Sequence, residues 1–335
     1  MGFREGDFVE THEGLIFDVK GLIHPPNKVV AFVRYIPSPS GERKRNSVRY
    51  RRVYDLGERF AFLRESYPQY LVYDPVFGEE LVEVPVGQVA RHYQPVRGLA
   101  GLRRRVKLSP LERRFLEFAD FVVGSAGVPR GKVGVSGSLL VGLSSSSSDL
   151  DLVVYGVENA RKVDHVLGKQ LEDGKRFGRF GLDVLRAMHG DRCRESGVSF
   201  ENYVFHEGRK SFQGFFDGVE FFVRYVKDWD EFGEVYGESV YTPMGRIKVK
   251  AVIVDDSDSL FTPCFYEVKN VEVVEGASAE PIRGIASFRG RFCQQAFVGE
   301  RVVASGKLER VARRGETYYR LVLGNRPEDF MVTVR

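Results

Sequence analysis

Short apolar runs rich in β-branched and aromatic residues mark the first ninety or so positions. Residues 14–20 and 29–35 are two of them, and His24-Pro25-Pro26-Asn27 between them breaks either regular structure. Further runs near Tyr70 and Leu81 extend this to a β-rich module, while 37–46, with its prolines, glycine and basic triplet, reads as an exposed loop. The pattern changes at 98–107, a glycine- and arginine-rich stretch that suits a linker. Directly after it, Ser109-Pro110-Leu111-Glu112 matches a capping box. Leu111, Phe115, Leu116, Phe118 and Val122 then follow at helical spacing, with Gly124 as the expected end. Residues 132–135 and 150–155 read as strands, and the stripe Ala160, Val163, Val166, Leu167, Leu171 predicts a helix over 159–171. From about Tyr241 helical spacing disappears, and six strand-like runs follow at 248–254, 265–274, 282–288, 302–311, 317–323 and 330–334. Their number and spacing suit an OB-type barrel. The expected fold class is α+β in three parts: a β-rich N-terminal module over 1–97, a central strand–helix–strand domain over 98–238 and an OB-like β-barrel over 239–335.

A chain of 335 residues exceeds one ordinary core and agrees with two or three domains. Its 43% hydrophobic and 29% charged residues exclude a disordered protein. Fifty Lys and Arg against 46 Asp and Glu leave a net charge of +4, too mild for an obligate nucleic-acid packager. Residues 1–10 carry three acids and no apolar stretch, so no signal peptide is read there, and no window approaches the ~18 apolar residues of a membrane span. The expectation is a cytoplasmic protein without a membrane partner. Cys193, Cys264 and Cys293 are few, odd in number and far apart, which argues against a disulfide framework or a Cys-based zinc site. His189 and Cys193, four apart, supply too few ligands for a metal.

The chemistry concentrates in one segment, running from Gly137-Ser138 to Asp149-Leu150-Asp151-Leu152. Asp149 and Asp151 are two apart at the start of an apolar run, and the period of a strand puts both carboxylates on one face. Held that close they repel unless a cation sits between them, and oxygen ligands of this kind suit Mg²⁺. Upstream, a strand delivers Gly137-Ser138 to the start of a short helix, where a glycine lets backbone approach a ligand and free N–H groups favour phosphate.

Gly-Ser, a ten-residue spacer (139–148) and Asp-x-Asp between Leu150 and Leu152 resemble the minimal pattern of the polymerase-β-like nucleotidyltransferase superfamily. The resemblance covers about residues 109–230. It implies a central nucleotidyltransferase domain that moves an NMP from an NTP to a hydroxyl acceptor and releases pyrophosphate. It also implies Mg²⁺ (or Mn²⁺) on Asp149, Asp151 and a third acid, and phosphates on Gly137, Ser138 and the Ser148 that directly precedes the acid pair. Glu220, in the apolar run 219–223, is the leading third acid, with Asp183 and Asp217 as alternatives.

Arg43-Lys44-Arg45, with Arg49, Arg51 and Arg52 interleaved by Tyr50 and Tyr54, has the composition of a nucleic-acid contact. Arg103-Arg104-Arg105 ahead of the N-cap, and Arg289, Arg291, Arg310, Tyr318 and Tyr319 in the barrel, share it. Solvated faces and linkers share it too. Together these regions tilt the acceptor toward RNA or DNA, RNA foremost. Transfer to a protein or small molecule, a catalytically inactive nucleic-acid-binding protein of the same fold, and a structural subunit are the alternatives.

Overall fold

The computed structural model describes residues 2–277 and 279–334. It begins with β1 (Phe8–Thr11), β2 (Ile16–Val19), β3 (Lys28–Pro37), β4 (Arg43–Arg45), β5 (Val48–Arg52), α1 (Leu56–Ser66), β6 (Leu71–Asp74), β7 (Glu79–Pro85) and β8 (Val89–Tyr93). The middle of the chain holds α2 (Pro95–Arg103), α3 (Pro110–Ala126), β9 (Val133–Val135), α4 (Gly137–Leu140), β10 (Leu150–Tyr155) and α5 (Val157–Asp173). Then come β11 (Phe177–Gly178), α6 (Leu182–Arg192), α7 (Phe200–Glu207), β12 (Gln213–Phe216) and β13 (Val219–Val226). The last strands are β14 (Ser239–Asp255), β15 (Cys264–Gly276), β16 (Ile282–Ser287), β17 (Arg301–Arg313), β18 (Glu316–Leu323) and β19 (Phe330–Thr333). The protein is mixed α+β, as expected. Its packing divides into two compact units: residues 1–74, 79–169 and 216–236 form the first, and 75–78, 170–215 and 237–335 the second.

In the first unit the N-terminal strands run in the order β4-β5-β3-β2-β1-β8, with β7 on β3 and β6 on β7. Because side chains alternate along a strand, this sheet buries both faces. Val9, Phe17 and Val33 pack with Leu63 of α1 and with Tyr70, whereas Phe8, Ile16 and Tyr35 pack with Val141 and Leu143 just after α4. The second contact fastens the sheet to the segment that carries the paired aspartates. Those aspartates belong to a second set of strands, in which β10 lies between antiparallel β9 and parallel β13.

Three local expectations are corrected here. The supposed linker over 98–107 is largely helix α2: Pro95 opens it, and its first turn lies on β9, with Pro95 and Val96 backbone against Gly134. Gly98 within it is a position of close approach, where an added Cβ would stand 2.4 Å from Leu140 Cδ1. The loop over 37–46 contains β4, which pairs antiparallel with β5 (Lys44↔Arg49) around Asn46 at φ 55°. Helix α3 has the expected capping box, but it passes Gly124 and ends at Gly127, whose φ of 61° supplies the left-handed C-cap.

In the second unit all six expected C-terminal strands form. The ladder β14-β15-β16-β18-β17 closes back from β17 onto β14, with β16 and β18 parallel and the other pairs of the ring antiparallel; β19 adds to β17. The residues after α7 are bonded to this ring: Lys210 Nζ donates to the Arg291 carbonyl (2.6 Å) and Ser211 N to Gln294 Oε1 (3.0 Å).

Candidate metal and phosphate site

The site grows from the β9–β10 pair. Ser136, one residue past β9, donates its N–H to the Asp151 carbonyl (2.8 Å) and its hydroxyl to the Gly6 carbonyl (2.9 Å). The chain then turns through Gly137 at φ 57° into the short α4. A Cβ at Gly137 would lie 1.8 Å from Asp151 Oδ2. Glycine is required there twice over, for the backbone angle and for the close approach. Ser138, buried, accepts through its carbonyl from Leu143 N (2.9 Å), which closes the turn.

Asp149 immediately precedes β10 and Asp151 lies within it, both half-buried. Among the described residues no Lys, Arg or His stands within ion-pair distance of either carboxylate. Burial and then the neighbouring Asp149 charge push Asp151 up to about 6. Burial also raises Asp149, against the pull of Arg52, Arg34 and Arg43. An adjacent pair of carboxylates in this state lacks a positive charge between its members. A divalent cation with a preference for oxygen, Mg²⁺ or Mn²⁺, fits that donor set, with further ligands left for a substrate or water.

Arginines surround the pair at longer range. Arg34 of β3 and Arg52 of β5 both hold their guanidinium groups over the Tyr54 ring, 4.7 and 4.1 Å from its centre. Among the described residues neither has a carboxylate partner for its side chain, and Arg52 Nε is buried with no hydrogen bond. Burial, and then the nearby Arg52 charge, lowers the pKa of Arg34. Arg43 donates to Ser148 Oγ (2.9 Å) and to Ser145 Oγ, so it holds the serine loop beside Asp149; Ser148 also accepts from Ser145 N (3.0 Å).

The basic residues expected to contact nucleic acid separate by environment. Arg43 and Arg45 turn inward, Arg45 bonding Tyr93 Oη (2.6 Å), the Val141 carbonyl (3.1 Å) and Glu10, whereas Lys44 between them is exposed. Arg103 pairs with Asp120 (2.6 Å) and Arg105 with Glu112, while Arg104 is exposed.

The third-acid candidates lie in three places. Asp151 pairs with Phe222 across the β10–β13 ladder, so the period of two puts Glu220, Phe222 and Arg224 on its face. Glu220 is exposed, level with Asp149. Among the described residues no group of three His, Cys, Asp or Glu side chains is arranged to hold a metal. Asp217 sits in the turn before β13 at φ 45° and pairs with Arg114, and Asp183 is exposed in the first turn of α6. The inner position beside Asp151 belongs to Arg224, which bonds Glu5 and lies 3.7 Å from Asp18 Oδ1. Burial pulls the Arg224 pKa down, but Glu5, Asp18 and Asp151 together hold it above the ordinary value. Arg34, Arg224, Asp18 and Glu5 were not expected at the site. Their only mark in the sequence is charge set inside or beside an apolar strand run.

No family model matches the chain, and no solved structure matches it. The chain is 32% identical over 340 residues to "Uncharacterized protein MJ1086" of Methanocaldococcus jannaschii, covering 98% of each protein. It belongs to the family of that archaeal protein, and the likeness spans both units.

Proposed function

We propose that the chain is a metal-dependent nucleotidyltransferase of the polymerase-β-like type, which moves an NMP from an NTP to a hydroxyl of RNA or DNA. One observation carries this reading: two aspartates two apart at the head of β10, without a cation partner among the described residues, against the bare backbone of Gly137. Asp149 and Asp151 would hold Mg²⁺ or Mn²⁺, which supplies charge neutralisation on phosphate and a lowered pKa at a bound hydroxyl. The chain's own part is electrostatic. Arg34 and Arg52, unspent on carboxylates among the described residues, offer guanidinium donors to phosphate oxygens, and Arg43 holds the Ser145–Ser148 loop next to the acids. The five-stranded ring with its one parallel pair supports reading the C-terminal strands as an OB-type barrel, a module suited to polynucleotides, and so favours a nucleic-acid acceptor.

The test is label transfer from each α-labelled NTP, with Mg²⁺ or Mn²⁺, into RNA, DNA or bulk protein. Label entering one pool, and lost in the Asp149→Asn/Asp151→Asn variant, supports the reading and names the acceptor class. Arg224 favours a second reading. It sets a guanidinium on the face of β13 beside Asp151, as in a protein that binds nucleotide or nucleic acid without turnover. NTP or RNA binding without transfer into any pool would select it.

A further inference from the structure

The second unit contains a small cleft, partly open to solvent, lined by the end of α6, by α7, by the turn at 291–295 and by the start of β19. Two arginines line it, one with a single long ion pair and the other with no carboxylate within ion-pair distance among the described residues. Arg192 reaches the Tyr203 hydroxyl at 3.4 Å, and Glu207, the carboxylate nearest to it, is 3.9 Å away. That carboxylate is already engaged by Lys210 Nζ (2.5 Å) and Gln213 Nε2. Arg291 donates to the Arg192 carbonyl (3.3 Å), its Nε is buried without a partner, and among the described residues no carboxylate stands within ion-pair distance of it.

The other acid on the cleft, Asp329, favours the Arg291 charge only at longer range and is bonded elsewhere. Asp329 pairs with Arg246 (2.7 Å) and accepts from the N–H groups of Gly324, Asn325 and Arg326 at 2.9, 2.9 and 3.0 Å. His206 adds a donor. Its Nε2 accepts from Thr333 N (3.3 Å), which leaves the ring proton on Nδ1, a buried atom whose approach to the Gln295 backbone falls short of a well-formed hydrogen bond. Burial, then Lys210 and Arg209, hold that ring neutral, with a pKa of about 4. Burial and then the nearby Arg192 charge both disfavour the Arg291 cation, a cost that an anion held on this cleft would offset. Donors arriving from three separate elements suit a tetrahedral oxyanion better than a planar carboxylate.

We propose that this cleft is a phosphate-binding site, in which Arg192 and Arg291 hold the phosphate and His206 Nδ1 donates to it. The phosphate is either free or the terminal group of a nucleotide. The proposal is independent of the transferase reading, since it rests on residues of the second unit alone.

Cys193 provides the test. It lines the same cleft and is half-buried, whereas Cys264 and Cys293 are buried, so thiol modification of the folded chain reports on the cleft. The rate of maleimide addition to Cys193 would be followed by peptide mass spectrometry, at fixed ionic strength, with inorganic phosphate, AMP or adenosine. Occupancy predicts slowing of about tenfold when phosphate stands at ten times its Kd. It further predicts that Arg291→Met abolishes the protection while circular dichroism stays unchanged. Protection by AMP at lower concentration than phosphate assigns a nucleotide, and equal potency assigns free phosphate. No slowing by phosphate or AMP, protection by adenosine alone, or protection that persists in Arg291→Met would overturn the proposal. Should Arg291→Met fail to fold, calorimetric titration of the native chain with phosphate decides: heat that saturates at one site supports it, and its absence overturns it.

Discussion

Gly137 is the residue on which the first unit's site turns. Its φ of 57° is one that a side chain tolerates poorly, and its missing Cβ leaves room for Asp151 Oδ2. Gly137→Ala should therefore displace the carboxylate as well as strain the turn. The expected cost is about 1–3 kcal/mol in chemical denaturation, together with loss of any stabilisation by Mn²⁺; an unchanged midpoint would show that the turn is not constrained as described. Asp151 itself gives a pH prediction. Its pKa is raised in the folded chain to about 6, so its contribution to stability is full below the unfolded carboxylate pKa and is lost as pH rises through about 6. In the absence of divalent ions, thermal melts should show this loss between about pH 4 and 6, and Asp151→Asn should remove it. Mn²⁺ should raise the melting temperature well above pH 6 and scarcely at all near pH 4. Gly137, Asp149 and Asp151 were legible in the sequence because their relation is local, a turn and a period of two. Arg34 and Arg224 were not, because β3 and β13 meet the acid pair only in the folded unit, and a lone arginine in an apolar run carries no mark of what it faces.

At the scale of elements, legibility followed capping and alternation. Helix α3 was readable from its box, in which Ser109 Oγ accepts from Glu112 N (3.2 Å) and Glu112 accepts from Ser109 N (2.7 Å). Ser109→Ala should cost about 1 kcal/mol, measured by urea denaturation, and an effect near zero would mean the box is idle. Helix α2 was misread because glycine and arginine resemble a linker when nothing shows what they pack against. Its reason for existing lies on another element: Gly134 in β9, where an added Cβ would stand 2.4 Å from the Pro95 carbonyl carbon and 2.6 Å from Val96 N. Strand propensity alone predicts that Gly134→Ala stabilises. The packing predicts the opposite sign, a loss of about 1–3 kcal/mol as α2 is pushed from β9. A stabilised variant would remove this account of why the segment is helical.

For the whole molecule, sequence and structure divide the chain by different rules. Borders at 98 and 239 follow shifts in composition, whereas packing units follow contacts, and residues 170–215 pack with 237–335. Composition carries no trace of that partnership, because it is made by a few specific bonds. Lys210, wholly buried, joins Glu207 to the Arg291 carbonyl; Arg209 pairs with Glu300; and His206 accepts from Thr333 N. The strands of the ring were legible one by one from their alternation, but the closure of β17 onto β14 joins strands distant in the chain. A fragment of residues 239–335 keeps every ring strand and still loses these partners. It returns the Arg291 carbonyl, the Gln294 side chain and Glu300 to water, with a net loss of about 0.5–1.5 kcal/mol for each hydrogen bond removed. The fragment 170–335 should melt cooperatively, and 239–335 should melt lower and bind more of a hydrophobic dye. Equal melting temperatures for the two fragments would mean that the ring is self-sufficient and that 170–215 only rests on it.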